Sequence, residues 1–136
     1  MQTQLDLVSL EQAKKLKKLG FDWKVHNLIN IHPDGKLFYH FVKGVYNNFE
    51  VKCDNEDYLI FAAPSIALAL KWFRDVKGIF SVVLIETNTN PVFYYGCFYI
   101  IKDECMLFEK GYSTPEKAES ALLDALIEYV ENLEGK

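Results

Sequence analysis

The side chains best suited to binding a metal are few and widely spaced. The histidines are His26, His32 and His40, and the cysteines, Cys53, Cys97 and Cys105, lie 44 and 8 residues apart. A zinc site normally shows ligands in close pairs along the chain, and no such pair occurs. His26 and His40 come near each other if the intervening turn pairs residue 32 with residue 36, but no third ligand is visible. We therefore predict no metal site and three reduced, inert thiols.

Sequence motifs for catalysis and cofactor binding are also missing. The chain contains no Gly-x-Ser-x-Gly nucleophile elbow, no His-Glu-x-x-His motif and no glycine-rich phosphate loop. The acidic stretch at residues 54–57 lacks the ligand spacing of a calcium loop, and a solvated hairpin tip explains it. We predict no catalytic residue and no cofactor, which disfavours an enzyme.

A basic cluster near the N-terminus could contact phosphate groups. It consists of Lys14, Lys15, Lys17 and Lys18. Glu11 stands four residues before Lys15, as in an ordinary solvated amphipathic helix, and that interpretation stays open beside phosphate contact. The whole chain has 15 basic and 19 acidic residues, and its net charge of −4 disfavours a nucleic-acid partner.

Aromatic side chains dominate the segment at residues 92–101. If it is a strand, alternation puts Phe93, Tyr95 and Tyr99 on one face and other apolar side chains on the opposite face. A sheet covered on one side only would normally have a polar second face. The tyrosine face is therefore either covered, in a dimer or under the first helix, or a binding surface that stacks bases.

The first of three predicted helices is defined by its ends. Ser9 and Gln12 have the spacing of a capping box, in which each side chain satisfies a backbone amide of the other residue. Gly20 can adopt the left-handed conformation that ends a helix, and Phe21 would then fold back on Leu16.

Two further helices are predicted at residues 64–78 and from residue 114 to about residue 133. Thr114 and Pro115 are a cap residue followed by a proline at the first helical position. Helical projection places Leu123 and Ile127 outside the core arc of the last helix. That arc consists of Ala118, Leu122, Ala125, Leu126, Tyr129 and Leu133. In the second helix, Trp72 lies outside the core arc, which consists of Ile66, Ala69, Leu70, Phe73 and Val76.

The apolar side chains that fall outside the core arcs, here called leftover side chains, suggest a homodimer or another protein contact. The candidate interface is Leu123, Ile127, Trp72, Tyr95 and Tyr99. Equally, helices two and three could flank each other and bury the leftover side chains internally.

Strand-like segments separated by short turns occupy the rest of the chain. A hairpin is predicted for residues 25–31 and 36–42, a second for 49–53 and 58–61, and a third for 79–87 and 92–101, with 106–110 following. Short turns imply antiparallel pairing. We predict an α+β fold with one antiparallel sheet of about five to seven strands and three helices mainly on one face. The expected order is helix, three or four strands, helix, three strands, helix.

Length and composition set the broad class. The 136 residues fit a single domain spanning residues 1–136, and 50% of them are hydrophobic, which is too many for a disordered chain. No apolar run reaches the length of a membrane span, and the N-terminus lacks the layout of a signal peptide. We therefore expect a cytoplasmic protein without a membrane partner.

Three segments resemble short uncharacterised proteins encoded by phages and prophages of Bacteroidetes. They are VSLEQAKKLKKLGFD, APSIALALKWFRDVKGI and YSTPEKAESALLDALIEYVENL. A second likeness, confined to residues 114–129, is to the C-terminal end of HicB-type antitoxins. The first resemblance implies a non-catalytic accessory or interaction protein of a mobile element with an unidentified protein partner. The alternative is a nucleic-acid-associated or antitoxin-like regulator.

Overall fold

A computed structural model describes residues 7–32, 34–46, 59–100, 104–107 and 111–134 of the chain. Three helices lie within these residues: α1 (Leu10–Lys18), α2 (Ile66–Lys77) and α3 (Pro115–Glu134). Six strands lie within them: β1 (Val25–Ile31), β2 (Leu37–Tyr46), β3 (Leu59–Ala62), β4 (Ile79–Glu86), β5 (Phe93–Ile100) and β6 (Glu104–Leu107). Strands β1 to β3 lie between α1 and α2 in the chain, and β4 to β6 lie between α2 and α3.

The described strands form two antiparallel sheets of three strands each. Their orders are β2-β1-β3 and β4-β5-β6. The predicted α+β class, with three helices and antiparallel pairing, is confirmed, whereas a single sheet of five to seven strands is wrong. The short turns on which that prediction depended determine pairing only between neighbouring strands. They do not determine whether strands on either side of α2 join the same sheet.

The chain divides into two compact units. Residues 1–65 form the N-terminal unit, with α1 and the first sheet, and residues 66–136 form the C-terminal unit, with the other two helices and the second sheet. Each unit has an apolar core of its own elements. The single domain spanning residues 1–136 stays a prediction.

Both ends of α1 are built as the sequence predicts. The Gln12 backbone N–H donates to Ser9 Oγ at 3.2 Å, and the Ser9 N–H donates to Gln12 Oε1 at 2.9 Å, which completes the capping box. At the other end Gly20 has φ = 98°, and the Phe21 N–H donates to the Leu16 carbonyl at 2.9 Å. That is the long hydrogen bond of a Schellman ending, so the predicted start and stop are both confirmed.

The first sheet is organised by the hairpin between β1 and β2. The His32 N–H donates to the Lys36 carbonyl at 2.9 Å, and Gly35 supplies the positive φ of 86° that the turn requires. Strand β3 pairs with the other side of β1, which places Phe61 opposite Ile29. The predicted hairpin of 49–53 with 58–61 falls mostly on residues outside those described. Helix α1 packs on β3, and the unit buries these side chains: Val8, Ala13, Leu16, Leu19, Phe21, Val25, Leu28, Ile29, Phe61, Ala62 and Ala63.

The C-terminal unit packs two helices on the second sheet. Helix α2 contacts β4, α3 contacts β5, and the two helices contact each other. The Lys117 N–H donates to Thr114 Oγ1 at 3.2 Å, which confirms the predicted cap of α3. The main buried side chains of this unit are Ile66, Ala69, Trp72, Phe73, Ile79, Cys97, Phe98, Ala118, Leu122, Leu123, Leu126, Ile127 and Val130. None of the helices in the described residues is long and apolar enough to cross a membrane.

Candidate functional site

A row of apolar side chains on β4 is exposed. Phe80, Val82 and Leu84 expose 50%, 42% and 41% of their surfaces. Because they alternate along the strand, all three point to the same side of the sheet. Ser81 and Val83, which point to the other side, are half-buried, whereas Ile85, on that side at the end of the strand, is 57% exposed. We call the side of the β4-β5-β6 sheet that bears the exposed row the open face.

Strand β5 widens the open face. The register puts Leu84 opposite Tyr95 and Val82 opposite Cys97, and side chains opposite each other in an antiparallel pair share a face. Tyr95 is half-buried and Cys97 is fully buried. A buried cysteine packs as a small hydrophobic side chain. The open face is therefore exposed at the β4 row, with the half-buried Tyr95 beside it, and is covered at Cys97.

Helix α3 occupies the opposite face of the same sheet. A Cβ atom added to Gly96 would lie 2.9 Å from Leu122 Cβ, so the helix approaches β5 as closely as glycine permits. The rings of Phe98 and Tyr129 are 5.4 Å apart, and Phe98 is buried. One face of the sheet is thus packed in the core while the open face meets solvent at β4.

The exposed part of the open face is apolar up to the end of β4. Glu86, the last residue of β4, points to the same side, and its Oε1 accepts a hydrogen bond from the Asn88 backbone N–H at 2.9 Å. Apolar side chains release water when a complementary surface covers them, which favours association.

Three residues predicted to form a protein interface are buried. Trp72, Leu123 and Ile127 are 1%, 0% and 1% exposed. The expectation that they lie outside the cores of their helices is wrong, because α2 and α3 flank each other. A helix that contacts both a sheet and a neighbouring helix buries a wider arc than a helix packed on a sheet alone. Conversely, Val76 and Leu133 are predicted to lie in the core arcs, and this is wrong, because they are 53% and 56% exposed.

The two tyrosines predicted for the same interface, Tyr95 and Tyr99, lie on β5 rather than between the helices. Tyr95 lies on the open face beside Leu84, and the backbone of Tyr99 pairs with Phe80 on the same side of the sheet. The side chain of Tyr99 lies outside the described part of the chain. The predicted alternation of β5 is confirmed at Gly96 and Phe98, which face α3.

The four lysines predicted to contact phosphate are brought together in the N-terminal unit. Together with Glu11 and Phe61 they line a depression of about 430 Å³. We call the surface of Lys14, Lys15, Lys17 and Lys18 the lysine surface. Lys15 and Lys18 are exposed, and Lys14 and Lys17 are half-buried.

The amines of the lysine surface differ in their surroundings. No ion pair joins Glu11 to Lys15 in the described structure, although their spacing permits one. Lys17 Nζ lies 5.4 Å from the centre of the Phe61 ring, a cation–π contact between α1 and β3. The exposed Lys15 and Lys18 can attract phosphate or carboxylate groups.

The three histidines lie in the hairpin of β1 and β2. His32 lies in the hairpin turn, where its ring centre is 4.3 Å from that of Phe38. His40 pairs with Leu28, and His26 lies at an irregularity in the pairing of β1 with β2. The predicted match of residue 32 with residue 36 is confirmed, but the register shifts before it reaches His26. Among the described residues no three of His, Cys, Asp or Glu form a group that could hold a metal ion.

Sequence reasoning missed two parts of these surfaces. The exposed row on β4 is hard to recognise in the sequence, because the neighbouring residues Val83 and Ile85 are also apolar. The available signal was the alternation of Phe80, Val82 and Leu84 along a predicted strand. No local signal could have brought Phe61 next to the lysines, since the two segments are more than forty residues apart in the sequence.

No protein-family model, curated protein or solved structure matches this chain.

Proposed function

We propose that this is a non-catalytic interaction protein that binds a protein partner through the open face of the C-terminal unit. The observation that supports the proposal is the exposed row of Phe80, Val82 and Leu84 on one side of β4. Single exposed apolar side chains are ordinary, whereas a contiguous apolar patch marks an interaction surface.

The composition of the open face indicates the kind of partner. Aromatic side chains such as Tyr95 are enriched at protein interfaces, and charged residues are depleted at interface centres. The row contains no charged residue between Phe80 and Leu84. The partner therefore presents a complementary apolar surface.

The biological setting is part of the same proposal. The resemblance of three segments to phage and prophage proteins supports an accessory role in a mobile element. Three cysteines without a close pair fit reduced thiols and hence a cytoplasmic location.

A capture experiment with two matched variants tests the open face. Tagged wild-type protein, Val82→Lys and Leu133→Lys would each be incubated with lysate of the host cell, and the bound proteins would be compared. Both substitutions put a lysine at a half-exposed apolar position, but only Val82 lies on the open face. We expect wild type and Leu133→Lys to retain the same protein and Val82→Lys to lose it. Identical sets from all three proteins would refute the proposal.

A second candidate function uses the lysine surface. An antitoxin-like or nucleic-acid-associated regulator needs clustered cations, and Lys14, Lys15, Lys17 and Lys18 line one depression with Phe61. Phe61 is buried, so the amines alone support this candidate. The net charge of −4 keeps this function second.

Salt dependence separates this candidate from nonspecific attraction. Binding of a labelled single-stranded RNA would be measured by mobility shift at rising salt concentrations. Changing the four lysines to glutamine should reduce the logarithmic salt slope by about 3 if each contacts one phosphate. A control variant neutralises four lysines elsewhere: Lys24, Lys36, Lys71 and Lys117. Equal slopes for the two variants would exclude a specific role of the lysine surface.

A further inference from the structure

We infer that β4 is the dimerisation edge of this protein and that it pairs antiparallel with β4 of a second copy. The two sheets would then join into one six-stranded sheet across a twofold axis. The inference deepens the proposed function and rests on it in one respect, since both require β4 to be accessible. It concerns the edge of the strand, whereas the proposed function concerns the open face.

The edge of β4 has the properties of a pairing template. Within the described residues β4 pairs with β5 on one side and with no strand on the other. It is eight residues long and contains no proline, no lysine and no register shift along its pairing with β5. Natural sheets protect free edges with such features or by keeping the edge strand short. On its other side β5 pairs with β6 and, at Tyr94, with Tyr112.

Symmetry restricts how two copies of β4 can pair. A twofold axis that relates neighbouring antiparallel strands is perpendicular to the sheet, so the open faces of both copies lie on the same side. Opposite residues must then belong to the same face, which allows Val82 opposite Val82 or Val83 opposite Val83. The first register places Phe80 opposite Leu84 of the second copy and Glu86 opposite Gly78. The second register places Glu86 opposite Phe80, and is disfavoured.

The charge at the end of β4 favours antiparallel over parallel pairing of two copies. Glu86 is the one charged residue of β4, and the first register places it opposite Gly78 of the second copy. Parallel pairing would place the two Glu86 carboxylates together, which is repulsive. Arg74 and Lys77 at the end of α2 are already paired within the chain, with Asp75 at 3.1 Å and with Glu134 at 2.6 Å, so they contribute little to the contact. The strand is thus complementary to itself in apolar pattern.

Register-specific cross-linking tests this arrangement. In the predicted register two copies of Val82→Cys have directly opposite Cα atoms about 4.5–5.5 Å apart, within the range for a disulfide. Two copies of Leu84→Cys would be offset by four residues, about 13 Å along the strands, which is too far. A mixture of Phe80→Cys and Leu84→Cys should link the two different chains.

The background for these variants must be free of native thiols. Cys97 lies opposite Val82 within the same chain and would compete for it. Cys97 is therefore changed to alanine, and Cys53 and Cys105 to serine. A thermal melt of this background against wild type verifies that the fold is retained.

We expect wild-type protein to scatter light as twice the 15.8 kDa chain mass at high micromolar concentration. Val82→Cys should form a covalent dimer on mild oxidation and Leu84→Cys should not. A monomeric mass, or equal cross-linking of the two single variants, would overturn the inference. A monomer that still captures a partner through the open face would refute only the dimer. Cross-linking of Val82→Cys, together with partner capture that is unchanged in a separate Val82→Lys protein, would refute only the proposed function.

Discussion

The long edge strands of the two three-stranded sheets differ in charge and in the regularity of their pairing. Strand β2, at the edge of the first sheet, contains Lys43 and Gly44 and pairs with β1 through an irregular register. Strand β4, at the edge of the second, pairs with β5 without a shift and has an uncharged sequence up to Glu86. Charges and irregularities discourage edge-to-edge pairing. The edge strand β2 therefore carries features that discourage edge-to-edge pairing, and the edge strand β4 lacks them.

The exposed apolar side chains of the two sheets differ in the same way. Leu37, Phe38 and Tyr39 are 42%, 41% and 51% exposed, but they are consecutive and therefore divide between the two sides of the hairpin end. In β4 Phe80, Val82 and Leu84 alternate and fall on one side, while Ile85, 57% exposed, points to the other side. Among the described residues, β4 therefore carries a row of three exposed apolar side chains on one face, which the hairpin end does not.

The largest expected effect is on the packing of the C-terminal helices. Ile127→Lys places a charge at a position that is 1% exposed, and we expect the free energy of unfolding to fall by at least about 4 kcal/mol. Leu133→Lys, at 56% exposure on the same helix, should change it by less than about 0.5 kcal/mol. Urea unfolding followed by circular dichroism measures both. If the Ile127→Lys protein stayed stable and only lost the ability to dimerise, the interface predicted on α3 would be supported.

Glycine has a different role in each unit, and substitution should show it. Gly96→Ala drives a methyl group against Leu122 Cβ, and we expect a loss of about 1–3 kcal/mol. Gly20 has open space around it but a φ of 98°, so Gly20→Asn should be tolerated where Gly20→Ala is not. Chemical denaturation of the three variants distinguishes the two causes. A Gly96→Ala protein as stable as wild type would show that α3 does not lie so close to β5.

The cap of α1 should contribute a smaller amount to the N-terminal unit. Ser9→Ala removes the acceptor for the Gln12 N–H, and we expect a cost of about 1 kcal/mol. Ser9→Asp keeps an acceptor and should retain most of the stability. Thermal melts of the two variants provide the measurement. An unchanged melting temperature in Ser9→Ala would contradict the role of the capping box.

The smallest effect is expected where α2 and α3 end. Lys77 Nζ lies 2.6 Å from Glu134 Oε1, and the two side chains are 22% and 48% exposed. A double-mutant cycle with Lys77→Met and Glu134→Gln should give a coupling of about 0.5 kcal/mol, because solvent screens the pair. The coupling should fall further at high salt. A salt-independent coupling would argue against an ionic contact.

Local features of the fold could be predicted in detail. The capping box of Ser9, the Schellman ending at Gly20 and the cap at Thr114 each depend on residues within one or two helical turns. The turn from His32 to Lys36 likewise depends on proline and glycine at fixed offsets. Such features are encoded by neighbouring residues, so the structure reproduces them.

The candidate sites could be predicted only in part. The lysine cluster was visible because its members are adjacent in sequence, and Tyr95 was visible through strand alternation. The exposed row on β4 and the burial of Trp72 depend on which elements pack on which. The sequence does not show that α2 and α3 are neighbours, so it leaves open whether Trp72, Leu123 and Ile127 form an outer contact or are buried between the helices.

The amino-acid sequence by itself determined the class of the protein, the ends of its helices and the antiparallel pairing within each hairpin. These properties arise from hydrogen bonds, caps and turns between residues close in the chain. Tertiary structure decided that the strands form two sheets, that β3 joins β1, and that Leu123 and Ile127 are buried while Leu133 is exposed. It also decided that one face of the second sheet is left open. Burial depends on the combined surfaces of elements distant in sequence, and no local pattern encodes that sum.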